Sequence, residues 1–143
     1  MIRFFVDASV LFSAAYSAKG YSRDLINLAA AGEPQVRLVV SDDVLEETRR
    51  NLAYNKPEKL DVLERLLSAV PFEVVNPARR SVVGAARRVA IQDAPIVAAA
   101  RKAKVDALVT FDEKHLLRNA ALPGYVRAPI LRPQQAMAMM KQA

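Results

Sequence analysis

Residues 92–117 read QDAPIVAAARKAKVDALVTFDEKHLL. From Asp93 to Lys104 the apolar residues Ile96, Val97 and Ala100 recur at helical spacing and mark one inward face. Ala107–Thr110 (ALVT) is a short β-rich run, a strand that ends two residues before Asp112. Glu113–Arg118 then reads as a short helix. A helix that feeds a strand is the repeating unit of parallel α/β folds, because parallel strands need a crossover long enough to hold a helix.

The same unit recurs towards the N-terminus. Ile2–Val6 (IRFFV) and Val36–Val40 (VRLVV) are continuous apolar runs of the kind buried on both faces of a sheet, and Phe72–Val75 is a third strand. Between them lie helical patterns. Ser9–Ser17 has Ser9 as its expected N-cap, and Tyr21–Ala31 ends at Gly32, a C-cap residue followed by Pro34. Ser41 caps a helix carrying Leu45, Thr48 and Leu52, and Pro57 starts another with Leu60, Leu63, Leu66 and Leu67 on one side. A helix is expected from about Arg79 to Val89, an edge strand over Val126–Leu131 interrupted by Pro129, and a last helix over Pro133–Lys141. The expected architecture is α/β, a three-layer αβα sandwich around a central parallel sheet of four to five strands, with residues 1–143 as one domain.

Composition narrows the chemistry. The chain has 143 residues, 52% of them hydrophobic, which is too apolar for a disordered chain and long enough for one core. It has no cysteine and one histidine, which excludes disulfides, thiolate metal sites and multi-histidine zinc sites. A metal would have to be held mainly by oxygen, which favours Mg²⁺ or Mn²⁺. The apolar N-terminal region is interrupted by Asp7, and the uncharged run Ala8–Ala18 is 11 residues, short of the roughly 20 of a membrane helix. A cytoplasmic protein with no membrane association is expected.

The net charge of +6 is unevenly placed. Residues 79–104 hold seven bases and one acid, Asp93, and residues 114–143 hold five bases and no acid. Between them, residues 105–113 hold three acids and no base. Such runs are either solvated helix faces or contacts to a polyanion, with Arg87, Arg88, Arg101 and Lys102 the candidates to touch its phosphates beside Asp93.

Ligands of open parallel sheets bind outside the carboxyl ends of the strands. Asp7 follows the first strand, Asp112 follows ALVT, Asp93 opens the helix feeding that strand, and Glu47 lies in the helix after VRLVV. Any one of them could be a helix cap. Together they would repel, each pair at about 5 Å costing roughly 3 kcal/mol at an effective dielectric of about 20. Divalent cations relieve that repulsion, and cation-bridged carboxylates suit phosphodiester hydrolysis because the ions activate water and stabilise the leaving oxygen.

The segments FFVDASVLFSAAYS (4–17), SDDVLEETRRNL (41–52) and QDAPIVAAARKAKVDALVTFDEKHLL (92–117), in this order, resemble the PIN domain (PilT N-terminus) family of metal-dependent ribonucleases. Within it the chain is most similar to the toxin-like members, of which the VapC toxins are the familiar case. The resemblance covers residues 2–118. It implies a PIN-like fold and an endoribonuclease of a type II toxin–antitoxin pair, with an RNA substrate, a cognate antitoxin protein and homodimerisation. It also implies that Asp7, Glu47, Asp93 and Asp112 are the catalytic acids that hold Mg²⁺ or Mn²⁺: Asp7 ends the first strand, Glu47 stands six residues after Ser41, Asp93 opens D-A-x-I-x-A-A-A, and Asp112 follows Val-Thr. Ser9 and Thr110 would line the same pocket. Relatives often carry a second acid where this chain has Gln92.

A haloacid-dehalogenase-type phosphatase needs a second Asp two residues after the first, where Ser9 stands, and a receiver domain needs an Asp after the third strand, where Asn76-Pro77 stands. A catalytically silent PIN-like module for RNA binding or scaffolding is the alternative that keeps the fold. Asp106 and Glu113 are expected as surface or cap residues, His115 as a helix-surface or packing residue, and Met137, Met139 and Met140 as core or interface packing.

Overall fold

Five parallel strands form one sheet in the order β3-β2-β1-β4-β5 in the computed structural model, which describes residues 1–32 and 35–142. The strands are β1 (Ile2–Val6), β2 (Val36–Val40), β3 (Glu73–Val74), β4 (Ala107–Val109) and β5 (Ile130–Leu131). Central β1 pairs with β2 through Ile2↔Val36 to Phe5↔Val39 and with β4 through Phe4↔Ala107 to Val6↔Val109. Phe4, Phe5 and Val6 are fully buried, as a strand covered on both faces requires. The chain leaves β1 towards β2 on one side and adds β4 and β5 on the other, so the strand order reverses at the β1–β4 junction. That junction is the topological switch point, where such sheets open a crevice.

The helices are α1 (Ala8–Tyr16), α2 (Tyr21–Ala31), α3 (Asp42–Asn55), α4 (Leu60–Ala69), α5 (Arg79–Ala85), α6 (Ala94–Ala103), α7 (Leu122–Val126) and α8 (Pro133–Gln142). They pack as two groups: α1 against α2, α3 and α4, with α8 on α2, and α5 against α6, with α7 on α6. Sheet and helices together make the expected three-layer α/β sandwich. Ser41 caps α3 as expected, its Oγ accepting from the Val44 N–H at 3.2 Å, with Asp42 and Asp43 in the first turn where the helix dipole favours them. Gly32 ends α2 at φ 75°, a left-handed cap that glycine takes without steric cost. Expected Pro34 lies outside the described residues. Among the described residues no helix is long and apolar enough to cross a membrane.

Several local expectations are corrected. The N-cap of α1 is Asp7 and not Ser9, because the Asp7 carboxylate reaches the Ala8 N–H at 2.6 Å while Ser9 already lies inside the helix. Pro57 opens a single 3₁₀ turn (Pro57–Lys59) before α4 begins. The helix from Arg79 stops at Ala85, and residues 86–93 turn back towards α6. Glu113–Leu117 is one π-helical turn, closed by Leu117 N–H to the Asp112 carbonyl at 2.9 Å. Val126 belongs to α7 and not to the edge strand: Pro123, at the start of a helix, is well tolerated there, and Arg127 ends the turn in the left-handed region. The edge strand therefore shrinks to Ile130–Leu131, just beyond Pro129.

Candidate metal centre

The end of β1 delivers Asp7 into the crevice beside β4. The residue is 6% exposed, and its carboxylate is held from three sides. Oδ1 accepts from the Ala8 N–H, and Oδ2 accepts from Thr110 Oγ1 at 2.6 Å and Ser9 Oγ at 3.1 Å. Thr110 stands directly after β4 and is fully buried; its Oγ1 also accepts from the Asp112 N–H at 3.0 Å. Ser9 Oγ accepts from the Phe111 N–H at 3.1 Å. Two hydroxyls thus link the β1 and β4 ends, and the expected pocket-lining pair is in contact with the first acid.

Asp112 caps the π turn, Oδ1 accepting from the His115 N–H at 2.9 Å. Asp93 sits at the N-cap position of α6 but makes no side-chain capping bond, and its Oδ2 is buried with no hydrogen-bond partner. Glu47 is half-buried in the second turn of α3, whereas Glu46 points away, exposed and paired with Arg50 at 3.6 Å. Asp7, Glu47, Asp93 and Asp112 all line one cleft of about 470 Å³. The structure therefore brings the four sequence-chosen acids together.

Their electrostatics are those of acids crowded in a partly buried cleft. Burial pushes the Asp7 carboxyl above its ordinary value, against the three hydrogen bonds that favour its charge. Glu47 is raised by burial and then by the charge of Asp7, and Asp93 by burial and then by the charge of Asp112. Among the described residues, the tight grouping of potential metal-ligand atoms takes in Asp93, Asp112 and His115, all within 4.8 Å of one another. Asp7 and Glu47 line the same cleft outside that trio. The orphaned Asp93 oxygen and an oxygen-rich donor set suit a hard divalent cation.

One expectation holds here, and one pair of residues was missed. His115, expected as a surface or packing residue, is exposed on the π turn, and its Nδ1 lies 3.5 Å from Asp112 Oδ2. Asn51 and Asn55 also line the cleft. Their spacing from Glu47, i+4 and i+8 on one helix face, was the available signal. The basic residues fall elsewhere: Arg87, Arg88, Arg101 and Lys102 line grooves around Tyr125 and do not line the acidic cleft.

The sheet order and the acids gathered at its switch point are those of a PIN-type fold among other doubly-wound sheets, and sequence comparison decides between them. The family model described as PIN domain matches residues 3–114, and the chain belongs to that family. No curated protein matches it significantly. Its fold is similar to that of PAE2754 from Pyrobaculum aerophilum (19% identity, TM-score 0.64, covering 99% of this chain and 98% of that one). It is also similar to VapBC2 from Rickettsia felis, solved bound to a DNA fragment from their promoter (14% identity, TM-score 0.63, covering 92% and 98%). A third likeness is to VapC20 of Mycobacterium tuberculosis, a Sarcin-Ricin loop cleaving toxin (22% identity, TM-score 0.52, covering 78% and 91%).

Proposed function

We propose that this PIN domain is a divalent-metal-dependent endoribonuclease and the toxin of a toxin–antitoxin pair. The observation that carries the reading is the convergence of Asp7, Glu47, Asp93 and Asp112 on one cleft at the switch point, with a buried Asp93 oxygen lacking any partner. These acids would hold Mg²⁺ or Mn²⁺, and His115 offers a nitrogen beside Asp93 and Asp112. A bound ion of this kind supplies an activated water and charge stabilisation at a phosphoryl oxygen. The protein's own contribution is orientation. Thr110 and Ser9 fix the Asp7 carboxylate, and the His115 backbone fixes that of Asp112. No side-chain nucleophile is required, which suits a chain without cysteine.

The toxin assignment draws on the likeness of the fold to VapC20 and VapBC2. On that reading residues 1–143 act as a single domain in the cytoplasm, as a homodimer, with a cognate antitoxin as partner. Basic residues outside the cleft, among them Arg87, Arg88, Arg101 and Lys102, would hold the RNA backbone. The test is cleavage of single-stranded RNA with Mn²⁺, compared with EDTA and with Asp7→Asn and Asp93→Asn. Cleavage by wild type with Mn²⁺ alone is expected. Equal cleavage by both variants would overturn the site, and no cleavage by folded, metal-loaded protein would leave the catalytically silent module.

A further inference from the structure

Helix α6 separates two opposite charges. Asp93 stands at its N-terminal end in the acidic cleft, whereas Arg101 and Lys102 occupy its last turn, about 12 Å further along the axis. Around that far end α5, α6 and α7 enclose a groove of about 890 Å³ lined by Arg80, Arg101, Lys104, Tyr125 and Arg127. A smaller hollow shares Gly84, Arg101 and Tyr125 with it and adds Arg87 and Arg88. Among the described residues no carboxylate lines either part, and none pairs with these arginines or with Lys104. Lys102 is partly engaged, donating to the Asn76 carbonyl at 2.7 Å.

Two further observations distinguish this groove from a merely solvated face. The half-buried Tyr125 ring lies 4.9 Å from the Arg88 guanidinium carbon and 4.5 Å from that of Arg101, so stacking surfaces and charges are interleaved. Among the described residues, the non-glycine residues at positive φ are Lys104 (53°) and Arg127 (64°), and both line the groove. Asn or Gly would sit there more comfortably, yet both positions carry a cation. Charges, ring and backbone together favour a single nucleic-acid strand, whose phosphates meet the cations and whose bases stack on Tyr125 and the guanidinium planes.

We propose that the α5–α6–α7 groove is an RNA-anchoring site distinct from the acidic cleft. A strand reaches it from the cleft over the exposed residues Arg87, Arg88, Ile91 and Gln92 of the 86–93 connection. The site rests on the reading of the chain as an RNA-cleaving enzyme and adds to it: the substrate is a strand long enough to span both ends of α6, bound by backbone and stacking rather than by sequence.

The test is fluorescence anisotropy of a labelled single-stranded RNA of about 20 nucleotides with the whole protein in EDTA, across a salt series. Lys104→Asn/Arg127→Asn keeps residues that tolerate positive φ while removing two charges. It is expected to weaken binding roughly tenfold or more and to reduce the log–log salt slope by about 1.4, or about 0.7 per lost phosphate contact on a single strand. Tyr125→Leu is expected to weaken binding at least about fivefold with the slope unchanged. Wild-type affinity and slope in the double variant would overturn the proposal. So would displacement of RNA by polyglutamate as readily as by unlabelled RNA, which would assign the groove to an acidic protein segment. The two readings fail separately: groove-dependent binding without cleavage removes the nuclease reading, and cleavage that ignores the groove variants removes the anchoring site.

Discussion

Thr110 Oγ1 donates to Asp7 Oδ2 at 2.6 Å across the ends of two neighbouring strands. The same oxygen accepts from the Asp112 N–H, so one hydroxyl positions the first acid and the loop that bears the fourth. Both side chains are buried, which makes this contact sensitive to small chemical changes.

Thr110→Val keeps the shape and removes the hydroxyl. The Asp7 carboxylate then loses its shortest side-chain donor in a buried place, and the Asp112 N–H loses its acceptor. A loss of about 1–3 kcal/mol in chemical unfolding is expected, together with a fall in cleavage larger than the stability loss explains. Thr110→Ser should restore both. Unchanged stability and cleavage in Thr110→Val would show that the hydroxyl only fills space.

The raised carboxyls set the sign of a pH effect. Asp7, Asp93 and Glu47 hold protons in the fold above their ordinary values of 3.8, 3.8 and 4.5, with burial as the first cause of each. A folded-state pKa above the unfolded one means stability that is complete below the unfolded value and lost as pH rises through the folded value. In EDTA, wild-type Tm should therefore fall relative to Asp7→Asn as pH rises from about 4 towards neutrality. Mn²⁺ should reverse the loss for wild type more than for the variant. A difference in Tm that is flat with pH would contradict the account.

His115 adds a nitrogen to an otherwise oxygen-based site. Imidazole suits transition ions better than Mg²⁺, so His115→Ala should weaken Mn²⁺ binding by calorimetry roughly tenfold and Mg²⁺ binding less. Because the side chain is substantially exposed, Tm without metal should barely move. Equal Mn²⁺ affinities would return His115 to the surface role its sequence context suggested.

The site also depends on the sheet beneath it. Leu108 is fully buried in β4, two residues before Thr110. Leu108→Ala should cost about 2–5 kcal/mol, measured by denaturant unfolding. A cost below about 1 kcal/mol would mean that the β4 core repacks around the loss.

Much of this was legible in the sequence because strong local signals agreed with the tertiary outcome. IRFFV and VRLVV are short apolar runs that became strands over their whole length, and ALVT became a strand over Ala107–Val109, with Thr110 just beyond its end. The four acids were readable because strand ends and helix starts converge on one edge of a parallel sheet. What failed depended on finer balances. Asp7 and Ser9 compete for one cap, and only the side-chain reach to Ala8 decides it. Leu122–Val126 carries both β-branched and helix-opening residues, and Pro123 decides it for helix. Arg101 and Lys102 stand away from the acids because α6 carries them about 12 Å from Asp93, whereas Arg87 and Arg88 lie on the exposed 86–93 connection.

The proposed nuclease chemistry requires the acidic cleft to bind a divalent metal ion. Anomalous scattering from crystals soaked in Mn²⁺ tests it most directly. A peak bounded by the carboxylates of Asp93 and Asp112 and adjoining Asp7, absent from crystals of Asp93→Asn, is the result expected. Mn²⁺-soaked wild-type crystals with an intact cleft and no peak inside it would contradict the account.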